Sequence, residues 1–275
     1  MRLFAEIITY NEEVYIEASI KNILPYVEKI IVVDGSLWGP STDRTVDIAR
    51  SCGPKVEVIS GTWRDPRENE RDHKWPQRRA GLLLMPRGED CWCMVHDADE
   101  GWLKEEIEQL VSIIEGADRK ILGLTYYARH FWLNPWHEIK GGIWDEGRLR
   151  VFRLFNDSVD FISHYKVKIK ADEEEVVLTN VPEREGHLDC PDVRFYHYGW
   201  CIDYEKWAFK KKFYFLRENQ ESGGITIEEY MKTLPELWAG QTINVPNVFP
   251  YPGPHPKEFE DLFGKLVKSG YWKMT

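Results

Sequence analysis

The sequence contains no run of about 18 consecutive apolar side chains, the length a membrane-crossing helix requires. The short apolar stretch from Met1 to Ile8 passes straight into polar residues and reads as a strand, not as a secretory leader. These features lead to the expectation of a cytoplasmic protein. Peripheral work at the inner face of a membrane is compatible with that, since peripheral enzymes need no span. Cysteine is scarce: Cys52, Cys91, Cys93, Cys190 and Cys201 are odd in number and scattered, which argues against a disulfide framework and against the paired ligands of a structural zinc site. Excess positive charge is also lacking. Lys and Arg number 36 against 46 Asp and Glu, a net charge of −10, the wrong sign for a protein that tracks a nucleic-acid backbone. No Gly-x-Gly-x-x-Gly follows the first apolar run, which disfavours a dinucleotide-dependent dehydrogenase. There is no internal repeat and no low-complexity tract.

What is present is the composition of a folded enzyme-sized unit. Of 275 residues, 43% are apolar and 30% charged, with 12 Trp, 13 Tyr and 12 Phe, enough to bury a core without staples. The length corresponds to one large domain or a domain and a half.

In the first hundred residues, short runs apolar on both faces (Leu3–Ile8, Lys29–Val33, Val56–Ile59, Cys91–His96) alternate with amphipathic stretches. Strands buried on both faces belong to parallel sheets. Ile16, Ile20, Ile23 and Leu24 keep helical spacing. Ser41-Thr42-Asp43 offers an N-cap for a helix that Gly53-Pro54 stops, and Ile107, Leu110, Val111 and Ile114 mark a helix ending at Gly116. The order is βαβαβαβα, an α/β fold with right-handed crossovers. From residue 121 the pattern changes to aromatic and β-branched runs typical of a mixed β region, and after residue 202 to helices. Three segments follow: 1–120, 121–202 and a helical extension over 203–275. Asp203–Glu218 and Lys257–Ser269 are its expected helices, joined through a Pro-rich connector over Pro246–Pro256.

In an open α/β sheet, ligands bind beyond the carboxyl ends of the strands. Those ends read Thr9-Tyr10-Asn11-Glu12, Asp34-Gly35-Ser36, Ser60-Gly61-Thr62-Trp63 and Asp97-Ala98-Asp99-Glu100. Asp97-Ala98-Asp99 is the sharpest. Alternate residues of an extended backbone point the same way, so both carboxylates can face one hard cation such as Mg²⁺ or Mn²⁺. The competing structural role is a helix cap at Asp99 and a solvated Asp97.

Taken together, "ITYNEE" (Ile8–Glu13), "IIVVDGS" (Ile30–Ser36), "STDRTVDIA" (Ser41–Ala49), "QRRAG" (Gln77–Gly81) and "HDADE" (His96–Glu100) resemble the GT-A fold glycosyltransferases of family 2, in that family's order. The resemblance covers about residues 1–115 and continues weakly through "GRLRVFR" (Gly147–Arg153) and "HYGW" (His197–Trp200). It implies a Rossmann-like nucleotide-binding sheet with an acceptor-side β region. It also implies a metal-dependent inverting transfer of a sugar from a nucleotide diphosphate, UDP- or GDP-linked, to a hydroxyl of a glycan or lipid-linked glycan, as in lipopolysaccharide-core or other surface-glycan assembly. By the same resemblance Thr9, Tyr10 and Glu12 surround the base and ribose, Asp34 accepts from a base N–H, and Arg78 meets phosphate or closes the base pocket. Asp97 and Asp99 address ribose and metal (Mn²⁺ or Mg²⁺), and His197 completes the metal site. Lys206 and Lys210–Lys212 are placed to attract the diphosphate or an anionic acceptor, although a solvated helix face explains such a run equally.

Two departures stand out. Relatives carry His-Glu after the Arg-x-Phe-Arg strand, where this chain has Ser163-His164-Tyr165, so the expected catalytic carboxylate is missing; Glu146, Asp145 and His164 are the substitutes. Leu37-Trp38-Gly39-Pro40 is an insertion ahead of the Ser-Thr-Asp turn. Trp63, Trp75, Trp132, Trp136, Trp144 and Trp200 supply rings suited to a sugar cleft, and Tyr126–Trp144 is the expected acceptor-side loop. The missing base keeps a non-catalytic glycan- or nucleotide-binding relative in view. A nucleotidyltransferase is less compatible, because "TYNEEVY" has no Gly-rich basic loop.

Overall fold

Strands apolar on both faces require cover on both sides, and the computed structural model supplies it. It describes residues 1–64, 74–88, 90–163, 166–171, 174–180, 186–218, 226–243 and 247–272. The elements run β1 (Arg2–Thr9), α1 (Ile16–Ile23), β2 (Lys29–Ser36), α2 (Thr45–Ser51), β3 (Val56–Thr62), α3 (Lys74–Leu83), β4 (Cys91–Asp97), the two-residue β5 (Glu100–Gly101) and α4 (Lys104–Gly116). There follow β6 (Gly123–Trp132), β7 (Asn134–Ile139), a 3₁₀ turn (Gly142–Asp145), β8 (Arg148–Arg153), β9 (Asp160–Ser163), β10 (Lys166–Ala171), β11 (Glu174–Leu178) and β12 (His187–Trp200). The chain closes with α5 (Tyr204–Glu218), α6 (Ile227–Ile243), β13 (Val248–Pro250) and α7 (Lys257–Lys268).

The α/β architecture expected from the sequence is found. The main sheet runs β13-β7-β6-β8-β4-β1-β2-β3. β3, β2, β1 and β4 are mutually parallel, whereas β8 is antiparallel to β4 and to β6. β12 lies parallel to β6 and turns antiparallel onto β5. Three antiparallel strands, β9 to β11, form a separate small sheet.

One face of the parallel half packs Ile7, Ile30, Val32 and Met94 against Ile16, Ile20 and Ile23 of α1 and Ile107, Leu110 and Ile114 of α4. The other face packs Ile8, Ile31, Val33 and Cys93 against Leu82 and Met85 and, through Phe152, against Phe161, Val167 and Ile169 of the small sheet. Each such side chain, buried from water, contributes about 1.5–3 kcal/mol of transfer free energy. A third, largely aromatic cluster (Tyr15, Phe131, Tyr198, Trp207, Phe259, Phe263) fastens the C-terminal helices to α1 and β12.

Two elements differ from the sequence expectation. α6 forms with Pro235 in its interior, a residue that ordinarily ends a helix. β12 spans 14 residues where only Val193–His197 reads as strand, because Pro191 and a register shift between Asp189 and Arg194 break its pattern without ending its pairing. The N-cap position of α2 is Arg44, one residue past the expected Ser41-Thr42-Asp43, and Asp43 Oδ1 accepts the Thr45 N–H at 2.9 Å from just outside the helix.

Candidate active site

The strand order reverses between β1, which leads to β2 and β3 on one side, and β4 on the other. Ile8 pairs with Asp97 at that point, and a crevice opens beyond the two carboxyl ends, where doubly wound sheets bind ligands. A cleft of about 160 Å³ occupies it. Its floor comes from Thr9, Tyr10, Glu12, Asp97 and Asp99, and its wall from His197 and Trp200 of β12 and Phe209, Lys210 and Phe213 of α5.

The loop after β1 is shaped by a reciprocal clamp. Asn11, at φ 54°, donates its N–H to Ser41 Oγ at 2.7 Å and accepts from Thr42 N–H at 2.7 Å. Glu12 N–H donates to Thr45 Oγ1 at 2.7 Å, and Glu13 N–H to Asp43 at 3.2 Å. Asp34 anchors the clamp from below. It accepts from Ser41 N–H at 3.1 Å, from Ser41 Oγ, and from Ser60 Oγ at 2.6 Å, is wholly buried, and does not line the cleft. The Asp34 carboxylate, expected to accept from a base N–H, is engaged here by donors from Ser41 and Ser60. Tyr10 and Thr9 do line the cleft, and Tyr10 packs at 5.9 Å and 5.5 Å from Phe209 and Phe213.

Asp97 is held from beneath. Arg78, fully buried, reaches Asp97 Oδ1 at 2.5 Å and Glu6 at 3.7 Å. Arg150 reaches Asp97 Oδ2 at 3.6 Å and Glu100 at 2.6 Å. Glu100 in turn accepts the Asp97 N–H at 2.9 Å. The result is a ladder, Glu6, Arg78, Asp97, Arg150, Glu100, with three carboxyls to two guanidiniums. Burial pushes Glu6 and Glu100 up to about 8 against the pull of their arginines, so both favour the protonated form at neutral pH. α3 comes close enough for this because residue 81 is glycine; a Cβ there would stand 2.7 Å from Glu6 Oε1. Arg78, expected to meet phosphate or close the base pocket, is placed in the ladder and does not line the cleft.

Asp99 faces the cleft. Lys210 Nζ lies 3.2 Å from Asp99 Oδ2, 3.1 Å from Glu12 and 3.1 Å from the Gly199 carbonyl, and Lys206 lies 3.5 Å from Glu12. Burial alone would raise Asp99; Lys210 and then His197 outweigh it and hold the carboxyl below its ordinary value. Burial would likewise lower Lys210, and Glu12 and Asp99 reverse that, keeping the ammonium charged. His197 Nε2 stands 3.7 Å from Asp99 Oδ1, and burial pushes the imidazole below its ordinary value. Gly199 makes this corner possible, since a Cβ there would stand 2.7 Å from Asp99 Oδ2 and 2.8 Å from the His197 ring.

These donors fit a divalent cation in part. A 3.7 Å separation is below twice a metal–ligand bond of about 2.1 Å, so one ion can touch both Asp99 and His197. A carboxylate and a neutral imidazole suit Mn²⁺. The expected third ligand, Asp97, is turned onto Arg78 and Arg150. Among the described residues no three His, Cys, Asp or Glu side chains converge as a metal group.

On the acceptor side, His130 of β6 places Nδ1 3.0 Å from His197 Nδ1, and its ring meets Trp144 edge-on at 5.1 Å. Trp132 bridges Trp144 and Trp200 at 6.3 Å and 5.6 Å. The candidate bases lie just past Trp144. Asp145 accepts the Gly141 N–H at 2.8 Å, and exposed Glu146 pairs with Arg148 at 3.1 Å; neither lines the donor cleft. His164 falls outside the described residues. Neither His130, inside the Tyr126–Trp144 segment, nor Arg150, inside "GRLRVFR", is singled out by the sequence as a site residue.

The Glycosyl transferase family 2 model matches residues 6–175. Among solved structures, glucosyl-3-phosphoglycerate synthase from Mycobacterium tuberculosis, in complex with Mn²⁺, UDP and glucosyl-3-phosphoglycerate, is 20% identical over 46% of this chain and 44% of that one, with a TM-score of 0.33. The same protein with Mn²⁺, UDP-glucose and phosphoglyceric acid is 21% identical over the same shares, at a TM-score of 0.35. The chain thus spans less than half the length of these structures. No curated protein matches.

Proposed function

The chain belongs to glycosyl transferase family 2, and on that premise we propose that it transfers a sugar from a nucleoside-diphosphate sugar to a hydroxyl of a glycan or lipid-linked glycan, with inversion. The observation that carries this reading is the meeting of Asp99, His197 and Lys210 at the sheet's switch point, on a cleft whose other end is lined by Tyr10, Phe209 and Phe213.

Each feature has a chemical use. The aromatic end accepts a flat base against Tyr10. Lys210 supplies a charged donor to a phosphate oxygen, and Lys206 adds positive charge beside it. Asp99 and His197 would hold Mn²⁺ or Mg²⁺, which when bound neutralises charge on the departing diphosphate. Asp97, held by Arg78 and Arg150 at the cleft floor, would address ribose hydroxyls. The acceptor enters beside Trp144 and Trp200, and Glu146 or Asp145 removes its proton. Here Glu146 would have to exchange its pairing with Arg148 for the acceptor hydroxyl.

The test is melting of the purified protein with UDP, GDP, CDP or dTDP, each with and without Mn²⁺. A ligand at about 100 times its dissociation constant adds roughly 2.7 kcal/mol to the folded state, a shift large enough to read. One diphosphate should stabilise wild type only with metal, and Asp99→Ala should remove the effect. Silence from all four would overturn the donor-site reading.

A further inference from the structure

Resting on the reading of Asp99 and His197 as the cation-holding pair, we infer that His130 is the positioning residue that fixes which ring nitrogen of His197 carries the proton. His130 and His197 are direct partners across the parallel pair β6 and β12, so both rings leave the sheet on the same side. The rings meet at 4.8 Å between centroids and 70° between planes, with Nδ1 facing Nδ1 at 3.0 Å. Two imidazole nitrogens at that distance share a single proton: one donates and the other accepts.

The second contact of His197 decides the direction. Its Nε2 stands 3.7 Å from Asp99 Oδ1, too far for a hydrogen bond, so a proton placed on Nε2 has no protein acceptor among the described residues and faces the cleft. A proton on Nδ1 has one, the Nδ1 lone pair of His130. With that arrangement the Nε2 lone pair faces the cleft beside a carboxylate oxygen, the form a histidine must take to bind a cation. Metal-bearing histidines usually hand their other N–H to a carboxylate, a carbonyl or water; in this protein the acceptor is a second imidazole. Trp144, edge-on to His130 at 5.1 Å, keeps that ring from turning away, and so ties the 3₁₀ turn on the acceptor side to the donor corner.

The experiment compares wild type, His130→Asn and His130→Ala. Asn presents an oxygen near the position of the His130 Nδ1 lone pair and is the conservative replacement. In metal-free protein labelled with ¹⁵N-histidine, long-range proton–nitrogen spectra should show His197 protonated on Nδ1 in wild type and His130→Asn, and as a mixture of tautomers in His130→Ala. With MnCl₂ alone, read as free Mn²⁺ by electron paramagnetic resonance, His130→Ala should bind about 10- to 100-fold more weakly, and His130→Asn within about three-fold of wild type. A His197 protonated on Nε2 in wild type overturns the inference, as does a His130→Ala protein with tautomer and Mn²⁺ affinity both unchanged. If wild type binds no Mn²⁺, the cation-holding reading of Asp99 and His197 fails on its own, and the nitrogen spectrum of the metal-free protein still decides the role of His130.

Discussion

Lys210 reaches from α5 to within 3.2 Å of Asp99, a residue 111 positions earlier in the chain, and sits between that carboxylate and Glu12. A buried ammonium shared by two carboxylates is ready to exchange one of them for a phosphate oxygen. A hydrogen bond to a charged group contributes about 1.5–3 kcal/mol, so Lys210→Met should weaken nucleoside diphosphate binding by roughly 10- to 100-fold. Lys212→Ala, on the exposed side of the same helix, should leave it unchanged. Calorimetric titration of both variants checks this, and equal affinities would remove Lys210 from the donor site.

The ladder under Asp97 makes stability depend on pH in two opposed ways. Glu6 and Glu100 rise from 4.5 to about 8, so the folded state holds more protons than the unfolded one between those values, and stability falls as pH rises through that window. His96 and His255 drop from 6.5 to about 3 and about 4, so stability falls as pH drops below 6.5 toward those values. Burial also lowers His130, His187 and His197, so the histidines outnumber the two raised acids between pH 4.5 and 6.5, and the melting temperature should peak near pH 6.5 and decline on both sides. Glu6→Gln should flatten the alkaline decline and leave the acid side alone. A wild-type curve rising steadily to pH 8 would contradict the protonated ladder.

Removing the rung between the carboxyls has a different outcome. Arg78→Met takes a guanidinium from half-buried Asp97, which keeps Arg150, and from buried Glu6, so the cost should stay below the about 3–5 kcal/mol of a fully buried ion pair broken from one side. Chemical denaturation should register that loss.

Gly199→Ala tests the corner itself. The new methyl pushes on Asp99 and His197 side chains and not on backbone, so the expected damage is to Mn²⁺-dependent nucleotide binding, by an order of magnitude or more, with a melting temperature close to wild type. The melting screen used for the donor reads both quantities in one assay. A variant that melts early and binds normally would mean the glycine serves only packing.

Asp34→Asn separates two roles. As the anchor of the Ser41 turn, Asp34 should cost about 1–3 kcal/mol of stability when one of its acceptors becomes a donor, with nucleotide affinity falling for all bases alike. A change in preference among UDP, CDP and GDP at unchanged stability would restore the direct base contact that its burial argues against.

The parallel strands and their polar ends are legible in the sequence because burial on both faces writes continuous apolar runs, and such sheets gather function at one edge. What each motif does is less legible. The resemblance implies a base contact for Asp34, yet Asp34, Ser41 and Asn11 hold one another, because a loop that must present Tyr10 and Glu12 needs its own hydrogen bonds satisfied first. The partners of Asp97 and Asp99 lie on α3, β8 and α5, and no local pattern announces contacts over such separations. Lys210 reads as one member of a basic helix face; only packing distinguishes it from Lys212. His130 is silent for the same reason, since its meaning comes from strand register with His197.

The cleft draws Tyr10, Asp97 and Asp99 from the family-matched part of the chain, and His197, Lys210 and Phe213 from beyond residue 175. On the proposed reading of the cleft, donor recognition is not a cassette that ends where the family match ends. In a chimera that grafts another relative's C-terminal third onto this nucleotide-binding half, the incoming segment would replace the acceptor region and half of the diphosphate pocket together. Donor and acceptor preferences would travel linked, and recombination that treats them as separable modules would yield folded but idle hybrids unless residues 197–213 stay with the strands they face.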